Sequence, residues 1–470
     1  QVLPLSPTGY GDSPYQGLSS MAGNPLLISP QRLAEEGHLC PSDLEAPAFA
    51  EDRVDFGAVI PYKITLLDRA FERFRANAPA LAHEAFARFC ADQAWWLEDV
   101  ALFMALKEAH NFRPWYEWDP PLARREPQAL THWRALLIDR VQAHQYRQWQ
   151  FLIQWLALKR YANGRGIRII GDIPIFVARD SVDVWANPRL FYLDEDLEPT
   201  VVSGVPPDYF SATGQLWGHP LYRWDVMAAE GYAWWIQRFR MALTQADVLR
   251  IDHFRAFYNY WEVPAGEATA INGRWRCGPG ADVFRAAEAA LGDMAIIAED
   301  LGSFDEESRA GLDALEAEFG FPGMKVLQFA FDGGPRNDYL PHNYTRPDYV
   351  VYTGTHDNDT VVGWYQVTAS EVARDYVRRY LACSGADIAW DLIRLAWSSV
   401  AHTAITTAQD LLSLGHEARL NTPSTSGAPN WCWRLLPGAI PAWVAPRLRD
   451  LTFVYGRLPE KAEGTTAAQG

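Results

Sequence analysis

Cysteine is scarce: Cys40, Cys90, Cys277, Cys383 and Cys432 are the only five in 470 residues. They stand far apart, form no CxxC pair and are odd in number, which excludes a disulfide framework and a zinc knuckle. They read as free thiols in a reducing cytoplasm. No apolar run reaches the roughly 18 uncharged residues that a membrane span needs, and the start lacks the cationic-then-apolar form of a signal peptide. Cations are the minority, 42 basic against 58 acidic residues for a net charge of -16. That balance argues against general affinity for nucleic acid or an anionic membrane. Also absent are GxxxxGK[ST], GxGxxG after a strand, HExxH and GxSxG, so phosphate-loop, dinucleotide, zincin and serine-elbow chemistries lack their motifs. The two N-x-[ST] matches, at Asn343 and Asn358, read as chance.

What is present is a globular composition, 49% hydrophobic and 21% charged, long enough for one large domain with insertions or for two to three domains. Aromatics reach 13%, and many sit in polar company ("SPYQ", "DYFSATGQLWGHPLYRW", "PNWCWR"). Rings beside hydroxyl and amide donors suit sugars, whose faces are apolar and whose rims carry hydroxyls. A single tryptophan is more often a core residue, so only the clustering carries weight.

Residues 1–62, rich in Gly, Pro and Ser around "QVLPLSP", read as a strand followed by long substrate loops. Apolar residues then recur at three and four ("LLDRAFERF", "WWLEDVALFMAL"), which predicts a mainly helical insertion over 63–165. From 166 to 458 short apolar runs alternate with helical ones, the pattern of βα units building a parallel sheet. Residues 459–470 are small and polar and are expected to form a flexible tail. Four strands end on acids: Asp172 ("GDIPIF"), Asp252 ("RIDHF"), Glu299 ("IIAEDLG") and Asp357 ("TGTHDND"). A (β/α)8 barrel brings strand ends to one mouth, whereas a doubly wound sheet spreads them along a line. The expected fold is therefore an α/β, TIM-type barrel with a helical insertion and long catalytic-face loops.

Each acid has a bland alternative. Asp252 pairs with Arg250 or Arg255, Glu299 or Asp300 caps the next helix, Asp357 makes an Asx-turn, and Asp172 sets an X-Pro bend. Taken together they fit glycosidic-bond chemistry, which needs one carboxylate nucleophile or base and one carboxylic acid flanking an oxocarbenium-like transition state. Arg250 lies two residues before Asp252, on the same strand face, where its cation keeps Asp252 ionised. Glu299 must instead hold its proton, which low polarity or a neighbouring carboxylate achieves.

"SPTGYGDSPYQ", "AGNPLLI", "GIRIIGDIPIFVA", "VPPDYFSATGQLWG", "RIDHFR", "AEDLG", "PGMKVLQFAFD", "LPHNY", "YTGTHDNDT" and "NTPSTSGAPNWCWR" occur in an order that resembles the amylomaltases, 4-α-glucanotransferases of the wider α-amylase group, over nearly the whole chain. The resemblance implies Asp252 as nucleophile, Glu299 as acid and then base, and Asp357 with His356 gripping the distorted sugar. It also implies that Arg250 supports the nucleophile and that Tyr15 and Asp172 line the donor site. Gln215 and Trp217 would come from a mobile loop, and Asn421 from a carboxyl-terminal one. Expected substrates are maltooligosaccharides, amylose or glycogen, with glucose as an acceptor. No metal, organic cofactor or obligate protein partner is implied. Members usually carry a further βα unit before "QVLPLSP", about forty residues, so the barrel is expected to lack its first unit. His219 stands where the family has Asn, Ala256 replaces Gly after "DHFR", and Ser424 replaces the Gly of "NTPG". The first of these bears on acceptor contacts. Two rivals remain: an α-1,4-glucan hydrolase, against which the aromatic loop from Tyr209 to Trp217 argues, and an inactive glucan-binding homologue.

Overall fold

A computed structural model describes residues 1–207 and 211–459. The described chain forms two compact units: residues 1–50, 54–323 and 426–428 in the first, and 51–53, 324–425 and 429–459 in the second.

Four long helices dominate the early part of the first unit: Phe56–Asn77, Ala80–Asp92, Ala94–Ala109 and Ile138–Asn163. The first begins because Asp55 accepts a hydrogen bond from the Ala58 amide and buries Leu66, Leu67, Ala70, Phe71 and Phe74 at three- and four-residue steps. Pro79 then pushes Ala78 into extended backbone and ends it. Three of these helices enclose a charged cluster. Arg140 grips Glu108 through Nε (2.7 Å) and Nη2 (2.9 Å) and reaches Asp68 at 2.9 Å. Arg147 bonds Asp68 at 2.6 Å and Glu108 at 3.3 Å.

After the helices the chain alternates. Strands β1 (Ile170–Pro174), β4 (Val248–Asp252) and β7 (Ile296–Ala298) form one parallel sheet in the order β1-β4-β7. One face of this sheet is apolar, with Leu249, Ile251, Ile296 and Ala298 in register and buried, while the other carries Asp172 and Arg250. Helix Ala233–Gln245 precedes β4, Asp282–Leu291 precedes β7 and Glu306–Phe319 follows it. In the second unit β8 (Gly323–Val326), β9 (Tyr349–Tyr352) and β10 (Thr403–Ile405) follow the order β10-β9-β8, with β9 and β10 parallel. The expected α/β class is what the chain adopts.

Two features differ from the sequence reading. The stretch "QVLPLSP" is extended, and Val2 donates to the Ile170 carbonyl at 2.9 Å, but it forms no strand. Pro4 and Pro7 lack the amide hydrogens a ladder needs. Strands β2 (Val201–Val205), β3 (Gln215–Pro220), β5 (Asn259–Pro264) and β6 (Arg274–Cys277) form an antiparallel sheet, β3-β2-β5-β6, that the alternating pattern does not announce. Among the described residues no helix is long and apolar enough to cross a membrane.

Candidate active site

The register of the parallel sheet places the charges. Asp172 on β1 stands beside Arg250 on β4, and Ile251 stands beside Ala298 on β7. Partners in register share a face, and the face alternates along each strand. Arg250 and Asp252 therefore point the same way as Asp172, and Glu299, one residue beyond Ala298, rises level with Asp252. Arg250 is buried and bidentate: Nη1 meets Asp172 Oδ1 at 2.8 Å and Oδ2 at 2.7 Å, while Nη2 meets Asp252 Oδ1 at 2.9 Å. Tyr15 donates its hydroxyl to Asp172 Oδ2 at 2.7 Å. Burial alone would lower the Arg250 pKa, but the charges of Asp172 and Asp252 outweigh it and raise it well above its ordinary value. Asp252 keeps 29% side-chain exposure, so this guanidinium pairs with the carboxylate without covering it.

Glu299 is buried and has the opposite character. His253 takes a left-handed backbone (φ 53°) that turns its amide onto Glu299 Oε2 at 2.6 Å, and the Leu301 amide reaches Oε1 at 3.0 Å. Both amides favour the carboxylate, yet burial, and next the charge of Asp252, push the pKa up to about 8. A buried carboxyl whose pKa is raised, beside a carboxylate held by a guanidinium, is an arrangement able to supply an acid and a nucleophile. The capping alternative is ruled out: helix Glu306–Phe319 takes its cap from Asp305, which accepts from the Ser308 amide at 2.7 Å, and Asp300 pairs with Arg309 at 3.0 Å.

The backbone turn at His253 was not legible in the sequence, since nothing in "RIDHFR" distinguishes a residue used through its amide. Its imidazole is driven down to about 3 by burial and then by Arg255, and Trp217 meets the ring edge-on at 4.8 Å between centroids. Trp217 and Gln215, expected on a loop, stand on strand β3, where Trp217 Nε1 donates to Gln215 Oε1 at 3.2 Å. Tyr209 and Phe210 of the expected aromatic loop lie outside the described residues.

His356, Asp357 and Asn421 belong to the second unit. Asn421 donates to Asp357 Oδ1 at 2.7 Å, and His356 Nε2 lies 3.4 Å from Oδ2. Asn358, not Asp357, makes the local turn, accepting from the Thr355 amide at 2.9 Å. The Asp357 side chain is 48% exposed. Arg419, which carried no motif signal, bridges two carbonyls, Asp357 at 2.9 Å and Asn421 at 2.8 Å. It staples the two segments that carry the predicted residues.

Within the first unit the structure thus gathers Tyr15, Asp172, Arg250, Asp252 and Glu299, and within the second it gathers His356, Asp357 and Asn421. A separate cavity of about 370 Å³, lined by Trp95, Trp149, Arg160 and Arg240 among others, contains no carboxylate and offers no acid for this chemistry. Among the described residues no group of three or more His, Cys, Asp or Glu is placed to hold a metal ion.

The sequence pattern of a family described as 4-alpha-glucanotransferase matches residues 1–438. The chain is 52% identical to a 4-alpha-glucanotransferase of Synechocystis sp., covering 97% of this chain and 90% of that one. It is 50% identical to one from Thermus thermophilus, covering 97% and 91%. In three dimensions it is similar to the amylomaltase from Streptococcus agalactiae solved in complex with acarbose, with a TM-score of 0.91, 38% identity and coverage of 97% and 91%.

Proposed function

From the premise that this chain belongs to the 4-α-glucanotransferase family, we propose how its own residues perform the transfer. The enzyme moves α-1,4-glucan segments between maltodextrins. Asp252 attacks the anomeric carbon of the donor while Glu299 gives its proton to the glycosidic oxygen, so the reducing-end fragment leaves as an alcohol and a glucosyl ester forms on Asp252. The acceptor's 4-hydroxyl then attacks the same carbon, Glu299 takes its proton, and Asp252 departs as a carboxylate. Two inversions give net retention.

The observation that carries this reading is the contrast between Asp252, bonded to Arg250, and Glu299, buried on backbone amides with its pKa pushed up. It also explains how one residue serves as acid and then as base. The Asp252 charge is one of the two main causes that raise the Glu299 pKa. Esterification removes that charge while burial remains, so the glutamate's pKa falls at the stage when a base is needed.

Tyr15, Asp172, Gln215 and Trp217 are assigned to the donor and acceptor walls. His356, Asp357 and Asn421 are assigned to hydroxyls of the distorted sugar, whose tighter binding in the transition state lowers the barrier. The reading includes the (β/α)8 barrel expected from the strand pattern. Maltooligosaccharides, amylose or glycogen serve as donors and glucose as an acceptor. A relative solved with acarbose supports a glucan-shaped site. Incubation with maltotriose tests the reading: a ladder of longer maltodextrins plus glucose is expected, whereas shorter sugars alone would identify a hydrolase.

A further inference from the structure

His219, on strand β3, is bonded at both ring nitrogens. Gln16 Nε2 stands 2.9 Å from His219 Nε2, and Ser203 Oγ stands 3.2 Å from Nδ1. An amide nitrogen only donates, so Nε2 accepts, and the single ring proton lies on Nδ1 facing the serine hydroxyl. Burial pushes the imidazole down to about 4, which keeps this neutral tautomer across the neutral range. The ring stacks on Phe176 (6.5 Å, 21°), whose ring is also 6.5 Å from that of His253.

The two bonds join separate parts of the first unit. Gln16 follows Tyr15 in a tightly closed loop: the Leu18 amide bonds the Pro7 carbonyl at 2.9 Å, and a Cβ added at Gly17 would come within 2.4 Å of Ser6 Oγ. Ser203 lies on β2, which pairs with β3, the strand that sets Trp217 against His253. One side chain thus ties the loop that places Tyr15 on Asp172 to the strand beside the residue that follows the nucleophile.

We infer that His219 is a positioning residue that locks the Tyr15 loop to the Trp217 strand and so shields the covalent intermediate from water, setting the ratio of transfer to hydrolysis. This rests on the glucanotransferase reading. In the hydrolytic branch a water oxygen forms the bond to the anomeric carbon, the ester bond to Asp252 breaks, and Glu299 takes the water proton, so any opening of this wall favours it.

An asparagine amide reaches about as far as histidine Nδ1, and a glutamine amide about as far as Nε2. His219→Asn therefore keeps the Ser203 bond and loses Gln16, while His219→Gln does the reverse. Each is compared with wild type on maltotriose, with glucose, longer products and new reducing ends quantified and Tm recorded. The lock predicts that His219→Asn raises the hydrolytic share about fivefold, the worth of one neutral hydrogen bond, and that His219→Gln stays near wild type. Gln16→Ala should reproduce the asparagine variant and add nothing to it in the double variant. An unchanged ratio in His219→Asn, with the ladder intact, would overturn the inference and leave the reading standing. Equal shifts in both His219 variants, tracking Tm, would overturn it in favour of simple packing. A wild-type enzyme that makes only shorter sugars would remove the reading and the inference together.

Discussion

Two glutamates of the first unit, Glu299 buried and Glu108 half-buried, are pushed in opposite directions by their surroundings. Glu108, between helices, would be raised by burial, but His144 and then Arg140 and Arg147 outweigh it and hold its carboxyl well below the ordinary range. His144 is itself driven down to about 4 by burial, so near neutrality the standing charges are two arginines against Asp68 and Glu108, a balanced set. At the sheet, Arg250 is shared by Asp172 and Asp252, and the third acid, Glu299, rests on backbone amides. One guanidinium cannot neutralise three carboxylates, and burial together with the neighbouring Asp252 charge favours the protonated form of Glu299. A saturated cluster stabilises the fold, whereas an unsaturated one holds an acid ready for chemistry at some cost to stability.

The contrast breaks most visibly at Asp252. Asp252→Asn should lower kcat by about four orders of magnitude or more while calorimetric binding of maltooligosaccharides persists. Near-normal turnover would remove the nucleophile. Glu108→Gln should leave kcat per folded molecule unchanged and lower the unfolding free energy by about 1–2 kcal/mol, since the buried Arg147 and the half-buried Arg140 both keep Asp68. A variant with lower kcat and unchanged stability would erase the distinction between the two clusters.

The smallest expected effect sharpens it. The folded pKa of Glu299 lies above the ordinary carboxyl value, so between roughly pH 4.5 and pH 8 the native state binds a proton the unfolded state has released. Stability from this group falls as pH rises through that window. The Tm of Glu299→Gln relative to wild type should therefore climb from about pH 5 to about pH 8. Glu108 works with the reverse sign, its contribution being present above the ordinary carboxyl pKa and lost as pH falls below it. A Tm difference for Glu299→Gln that is flat with pH would show that the carboxyl is ionised.

Asp252 and Glu299 were legible because each closes a short apolar run at the end of a strand, whereas Asp172, expected at a strand end, lies inside β1, and Asp357 lies five residues beyond the end of β9. Arg250 was legible as a partner of Asp252 through the two-residue period. Its bidentate grip on Asp172 was not, because that contact depends on the register between strands 78 residues apart in sequence. The same limit hid Arg419, which acts on carbonyls of distant segments, and the antiparallel sheet, whose edge strand β6 is exposed throughout and shows no apolar alternation. The amino-terminal segment misled because its apolar residues fit a strand while its prolines forbid the ladder.

The most direct test of the division between Asp252 and Glu299 is to trap the ester. In Glu299→Gln an α-maltosyl fluoride donor needs no proton to release its leaving group, while breakdown of the ester lacks its base. Mass spectrometry of the digested protein should find a maltosyl increment on the peptide that carries Asp252. An increment on a different carboxylate, or turnover of the fluoride with no ester at any time, would contradict the account.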